Sequence, residues 1–407
     1  MKSIKKLEDN IYIFIKKYSL EIIFFIVTIV SLLIRVKFLK FESDDYLNFL
    51  VRWFNKIRQN GGILALKNSI GDYNIPYLLI MTFITYLPIN QLIGIKVVSI
   101  VFDYLIAIVS MEIIYELLKD NKNKHLYALI TYIIIVLLPS VFLNSSTWGQ
   151  CDSIYTFFAI TAILFLIKEK YIKSFIFLGI AFSFKLQTIF ILPVFILVYI
   201  SKRKFSILNF FIIPAVNLVM CLPAMLVGKP LKDCFAIYFN QMGEYSGYLS
   251  MNFPSIYSLF IKPIGGSNLI KIPSQELASV GTYLTLACFA IIAILFVYKN
   301  IKLNKHLIVE LSLWSIMFAT FLLPHMHDRY LYMADIISVI FCMTNIKKFY
   351  IPLSINLISL YVYIEYLYAN HVIPIYYIAI LFGIMLIIMT KQLIKDIKTN
   401  QKIGEEQ

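Results

Sequence analysis

Apolar blocks about 20 residues long follow one another along this chain, separated by short clusters of lysine, and that length is what a helix needs to cross roughly 30 Å of hydrocarbon. Of its 407 residues, 60% are apolar and only 15% charged. That is more apolar surface than a soluble fold of this size can cover. A soluble enzyme, a disordered chain and a fibrous repeat are excluded on this ground. The strict alternation of a membrane barrel is absent, so the spans are helices and the fold class is an all-α polytopic membrane protein.

The net charge of +14 is distributed between the blocks, the pattern that keeps positive loops in the cytoplasm. No basic stripe interleaved with aromatics is left over, so nucleic acid is not an expected partner. Lys2, Lys5, Lys6, Lys16 and Lys17 place segment 1–17 inside. The block 18–39 is too long for a signal-peptide core and has no small-residue cleavage site, so it is expected to stay as an anchor. Segment 40–91 is polar enough to lie outside, with Pro76–Leu87 as a helix on the outer surface. Counting on from loop to loop gives about twelve crossings, a cytoplasmic tail at 391–407 and a single domain over 1–407 in the plasma membrane. The block 174–200 has basic clusters at both ends and must return to the side it left. It reads as a hairpin of two short helices, packed inside protein, with Lys185 near the external side and lining a cavity. A long external loop, 228–278, follows. The five cysteines show neither metal-ligand spacing nor a disulfide framework.

In that orientation the polar clusters face outwards. They are Ser43-Asp44-Asp45-Tyr46, the run Ser146 to Ser153, Phe184-Lys185-Leu186-Gln187, and His325-Met326-His327-Asp328-Arg329-Tyr330. A transporter tends to keep its critical polar groups at the midplane; an enzyme of the outer leaflet keeps them at the rim. Asp44 and Asp45 open a helix with Ser43 as cap, and Tyr46, Phe49, Leu50, Trp53, Phe54 and Ile57 form one apolar face, which would lie along the membrane surface. A carboxylate there is suited to take a proton from a hydroxyl, and plain helix capping would use the same two acids. Arg329 with His325 or His327 can neutralise a phosphate, and a polar turn joining two helices is the alternative. The histidines are two apart, so a metal would need a third ligand from elsewhere. Trp148 and Asp152 fit an interfacial aromatic and a helix start equally well. Lys185, in the middle of an apolar block, points to a cavity or an anion. Asp103 is a lone carboxylate within a span and calls for a basic or hydroxyl partner.

Taken in order, these pieces resemble the GT-C superfamily of membrane glycosyltransferases, and within it the second mannosyltransferase of GPI-anchor assembly with its bacterial relatives. The resemblance rests on Ser43 to Tyr46 with Trp53 and Gly61-Gly62, Gly71-Asp72-Tyr73 before Pro76, Lys96 to Asp103, Trp148 to Ser153, Phe184 to Gln187, Asn252-Phe253-Pro254 and His325 to Tyr330. It implies a GT-C-like bundle with jaw helices in the first external loop. It implies a polyprenyl- or dolichyl-phosphate-linked monosaccharide as donor and inverting transfer at the external face. An aspartate of the first loop is then the general base, Asp45 by position and Asp44 second. A lipid phosphate leaves as an anion and needs positive charge rather than an acid, for which Arg329, His325, His327 and Lys185 are the candidates. Trp148, Gln150, Asp152, Gln187, Tyr46 and Asn252 are the implied substrate-binding residues. No cofactor is required by such chemistry, and no metal. The chain has an Asp-Asp pair where many relatives have one acid. It also lacks the soluble C-terminal domain of some relatives, which points to a glycan or glycolipid acceptor instead of a peptide.

A lipid-linked saccharide flippase or a polysaccharide polymerase or ligase is the competing class. A flippase would distribute cations down a central cavity. A polymerase would show paired arginines in a large external loop, whereas 228–278 holds Lys229, Lys232, Lys262 and Lys271 and no arginine. A structural subunit would not gather acids, histidines and a lysine on one side.

Overall fold

The computed structural model describes residues 2–244, 247–264, 267–369 and 372–405. Small parts of the expected 228–278 loop and 391–407 tail therefore lie outside the described residues. The helices in chain order are α1 (Lys2–Lys17), α2 (Ser19–Phe38), α3 (Val51–Gln59), α4 (Ile75–Thr85), α5 (Gln91–Leu117) and α6 (Lys124–Leu137). Then come α7 (Pro139–Phe142), α8 (Asp152–Ile167), α9 (Tyr171–Phe184), α10 (Leu192–Lys202), α11 (Ile212–Leu226) and α12 (Leu231–Glu244). The rest are α13 (Gln275–Tyr298), α14 (Lys305–Leu322), α15 (Tyr332–Thr344), α16 (Tyr350–Tyr368) and α17 (Ile375–Glu405). Local chemistry sets many of the starts. Asn90 accepts the Leu92 and Ile93 amides at α5, Ser274 that of Leu277 at α13, and Asn304 that of Leu307 at α14. Such side chains take up amide donors that have no partner within the helix. The basic tail expected beyond Thr390 is helical, continuing α17 to Glu405.

Among the described residues seven helices are long and apolar enough to cross a membrane, or eight if one bent pair counts as a span. The protein is a multi-pass membrane protein. Ser19–Phe38 and Gln275–Tyr298 are each only 11% buried, as lipid-facing helices should be, whereas Lys305–Leu322 is 78% buried and runs through the centre. The other apolar helices are shorter: Ile75–Thr85, Asp152–Ile167, Tyr171–Phe184, Leu186–Lys202 and Tyr332–Thr344. The bent pair is Lys124–Leu137 with Pro139–Trp148. Its two parts meet at 47° where Pro139 interrupts the ladder, since proline has no amide hydrogen to donate and its ring clashes with the preceding turn.

Segment 174–202 does fold back on itself. Helix α9 runs to Lys185, a tight helical turn covers Leu186–Ile191, and α10 returns. Its two ends are clasped together by Glu169, which accepts from Lys202 at 2.8 Å and Lys204 at 2.7 Å. Asp103 finds its partners within the bundle. Arg35 of α2 lies 3.1 Å away, Ser145 donates at 2.6 Å and Tyr332 of α15 at 3.1 Å, with Arg35 and Asp103 both buried. One charge pair thus ties together α2, α5, α15 and the turn before α8.

The first loop differs from the expected surface helix. Asp44 and Asp45 open it, Ser43 Oγ accepts the Tyr46 amide at 3.2 Å, and Tyr46–Leu50 is a π-helical turn leading into α3. Trp53, Phe54 and Ile57 are buried against α4 and the turn 62–67 inside the protein, so this face is not left for lipid, while Phe49 stays 41% exposed. A small sheet stands opposite: β1 (Tyr248–Met251), β2 (Leu269–Lys271) and β3 (Met326–His327), in the order β2-β1-β3. Strand β1 pairs antiparallel with β2 and parallel with β3, with Ser250 opposite Met326 and Met251 opposite His327.

Candidate active site

A cavity of about 680 Å³ lies between the first loop, the tip of the α9–α10 hairpin, the sheet and the turn 324–330. Its wall includes Asp45, Gln150, Lys185, Gln187, Asn252 and Arg329. They come from five separate stretches of chain, Lys185 and Gln187 sharing one, and local backbone features present them. Asp45 sits at the start of the π-helical turn. A second π-turn, Leu143–Trp148, ends at Gly149 with φ +77°, a conformation glycine adopts without a side-chain clash, and this delivers Gln150. Gly71 allows close approach: a Cβ there would lie 2.2 Å from the Trp53 ring. Strand β3 carries the turn with Asp328 and Arg329.

Asp45 is held by three hydrogen bonds and one ion-pair contact. Trp148 Nε1 donates to Oδ2 at 2.8 Å and Gln150 Nε2 at 2.5 Å, while Tyr366 OH donates to Oδ1 at 2.7 Å. Arg329 Nη1 lies 3.6 Å from Oδ2. A carboxylate offers about four acceptor positions, so Oδ2 is filled and Oδ1 keeps one. The frame is rigid, with Trp148 stacked on Tyr366 at 4.5 Å and the Arg329 guanidinium 5.4 Å from the Trp148 ring.

Behind that wall Asp152 organises the cations. It accepts from Lys185 Nζ at 2.6 Å and from Asn144 at 2.9 Å, and Arg329 Nε is 3.6 Å from it. That Nε is buried without a hydrogen-bond partner. A buried donor left in this way costs free energy that an incoming acceptor would recover. Lys185 also lies 5.2 Å from the Tyr73 ring, and Tyr73 donates to Gln150 at 2.8 Å. Acids and cations thus offset one another in pairs.

Burial tunes the turn. Asp328 is pushed up to about 7 by desolvation, against the pull of Arg329, with Asp45 and Asp152 adding to the rise. His327 is driven well below the ordinary histidine value by burial, by Arg329, by Lys185 and by His325, so it is neutral near pH 7. His325 has φ +63° and its Nδ1 lies 2.6 Å from the Tyr248 carbonyl. A carbonyl only accepts, so Nδ1 carries a proton.

The family model of glycosyltransferase family 87 matches residues 73–324, more than half of the chain. The chain belongs to glycosyltransferase family 87. It is accordingly a membrane glycosyltransferase of the GT-C type. No curated protein matches it significantly. Within the matched segment this family 87 transferase carries Gln150, Asp152, Lys185 and Asn252. Asp45, Arg329 and Tyr366 come from the flanking chain and meet the matched segment only in the folded cavity.

The residues expected from sequence divide into three groups. Asp45, Gln150, Lys185, Gln187, Asn252, His325, His327 and Arg329 line the cavity of the transferase. Trp148, Asp152 and Tyr46 are buried behind the wall: Trp148 meets it through Asp45, Asp152 through Lys185, and Tyr46 is bonded to Gln91. Asp44 is exposed and does not line the cavity. Helix capping by Asp152 is replaced by its bonds to Lys185 and Asn144. Tyr366, Tyr73, Asn144 and Asp328 were not among the expected site residues.

Proposed function

We propose that this transferase moves a single hexose, such as mannose or glucose, from a polyprenyl-phosphate carrier to an envelope glycan or glycolipid, with inversion, at the extracytoplasmic face. The observation that carries the reading is the meeting of Asp45 and Arg329, 3.6 Å apart, on one cavity wall. Asp45 is the general base and Arg329 the counter-charge of the leaving phosphate. The acceptor hydroxyl gives its proton to Asp45 Oδ1, the oxygen with an acceptor position to spare. The acceptor oxygen bonds to the anomeric carbon, and the bond from that carbon to the phosphate oxygen breaks, its electron pair leaving with the carrier phosphate. Attack and departure on opposite faces invert the centre through an oxocarbenium-like transition state. The sugar therefore enters between Asp45 and Arg329 and parts them, while Asp152 and Asp328 keep Arg329 in place.

Lys185 is the second cation. His327, being neutral, contributes a hydrogen bond and not a charge, and His325 is anchored on the sheet. Gln150, Gln187 and Asn252 face the sugar or acceptor, while Trp148, Asp152 and Tyr46 position these groups from behind. In the whole molecule we read the shorter apolar helices as crossings packed inside the bundle, which gives about twelve with both termini cytoplasmic. The α3–α4 region corresponds to the jaw helices, in a single domain in the plasma membrane. Kinship with the second mannosyltransferase of GPI-anchor assembly belongs to the same reading.

The test is donor class. Purified protein is given a labelled polyprenyl-phosphate hexose or a nucleotide-diphosphate hexose, with a lipid-linked glycan as acceptor. Transfer from the lipid donor alone is expected. Transfer from the nucleotide donor alone would contradict the proposal.

A further inference from the structure

A second cleft, of about 430 Å³, lies at the base of the α9–α10 hairpin, and the sugar-transfer chemistry makes no use of it. Glu169, Lys170, Tyr171, Lys173, Lys204 and Ser206 are in its wall. The Glu169 carboxyl is held down to about 2 chiefly by its bonds from Lys202 and Lys204. That single carboxylate stands among Lys170, Lys173, Lys202, Arg203 and Lys204, so the cleft is cationic. The Tyr171 ring packs at a tilt against Phe205, centroids 4.6 Å apart, and its hydroxyl is buried without a hydrogen-bond partner. Beside the cleft, apolar side chains turn outwards: Ile172 is 64% exposed, Ile207 55% and Phe211 69%. They lead onto the membrane-length segment Ile207–Leu226, of which only 17% is buried.

Positive charge alone is the orienting pattern of any cytoplasmic loop. Elsewhere Lys305 is paired with Glu116 and Lys348 with Asp396, while in this loop Lys202 and Lys204 share the one acid, Glu169. Here the lysines surround a cavity, beside a hydroxyl that lacks an acceptor and an apolar track long enough for acyl chains. We infer that this cleft binds the phosphate headgroup of an anionic phospholipid, with its chains along the outward face of α11. The phosphate oxygens pair with Lys170, Lys173 and Lys204 and accept the Tyr171 hydroxyl. The bound lipid would brace the base of a hairpin whose tip, about 21 Å away at 1.5 Å per residue, carries Lys185 into the active cavity. The inference is independent of which sugar donor the transferase uses.

The purified full chain in detergent is equilibrated with dioleoyl phosphatidylglycerol or dioleoyl phosphatidylcholine, and retained lipid is counted by native mass spectrometry. Phosphatidylglycerol should be retained in preference. The triple variant Lys170→Gln/Lys173→Gln/Lys204→Gln should lose that retention by about tenfold or more. Tyr171→Phe, which keeps the ring, should lower it about threefold without a change in melting temperature. Lys119→Gln/Lys122→Gln, in a different basic loop, should leave it unchanged. Equal retention of the two lipids, or equal loss from the Lys119/Lys122 variant, overturns the site in favour of general surface charge. Full displacement of the lipid by millimolar inorganic phosphate overturns it in favour of a free phosphate.

Discussion

At Asp45 the two carboxylate oxygens do different work. Oδ2 is filled by Trp148 and Gln150, while Oδ1 has only the Tyr366 hydroxyl at 2.7 Å. The Tyr366 bond fixes where Oδ1 points, and a proposed base works only within hydrogen-bond reach of the proton it takes. Tyr366→Phe should therefore lower kcat by about tenfold with donor binding retained. An unchanged kcat would remove Tyr366 from the positioning of Asp45. Asp328 makes a second prediction at this scale. Its folded carboxyl keeps its proton to about pH 7, while in the unfolded chain it releases it near 3.9. Its contribution to stability is therefore fully present below about pH 4 and is lost as pH rises through 7. Between about pH 5 and pH 8 the wild type should lose more melting temperature than Asp328→Asn; parallel curves would contradict this. Asp45 and Arg329 were legible because a charge stands out in so apolar a chain. Tyr366 was not, being one of 28 tyrosines in an apolar helix with nothing to mark it. The partnership of Asp152 with Lys185 was hidden too, because it exists only once the hairpin has closed.

Between elements, the Arg35–Asp103 pair holds the frame on which the site is built. Ser145, which donates to Asp103, belongs to the π-turn that ends at Trp148 and delivers Gln150. Removing one partner leaves a buried charge alone, which costs about 3–5 kcal/mol, whereas replacing both with apolar residues can be nearly neutral. Asp103→Leu alone should lower the melting temperature sharply, and Arg35→Met with Asp103→Leu should recover most of the loss. A double variant as unstable as the single one would contradict this account of the pair. Hydrophobic length and basic flanks made most of the helices legible, including the return of α9–α10. The break at Pro139 was masked by continuous apolar sequence on both sides. The π-turns have no pattern of their own in sequence, and the burial of Trp53, Phe54 and Ile57 depends on α4 reaching them across the fold.

The whole molecule brings the start of the first loop, before the family 87 match, and the turn just after that match to one cavity whose remaining wall the matched segment supplies. No linear reading shows that convergence, because it requires the central, well-buried α14 to carry its end up to the first loop. The central claim is that Asp45 takes the proton of the acceptor hydroxyl in this cavity. It is tested most directly by measuring kcat for transfer from a polyprenyl-phosphate hexose by wild type and Asp45→Asn, with donor binding measured in parallel. The account predicts a loss of about a hundredfold or more in kcat with donor binding retained. Equal turnover by the two proteins would contradict it.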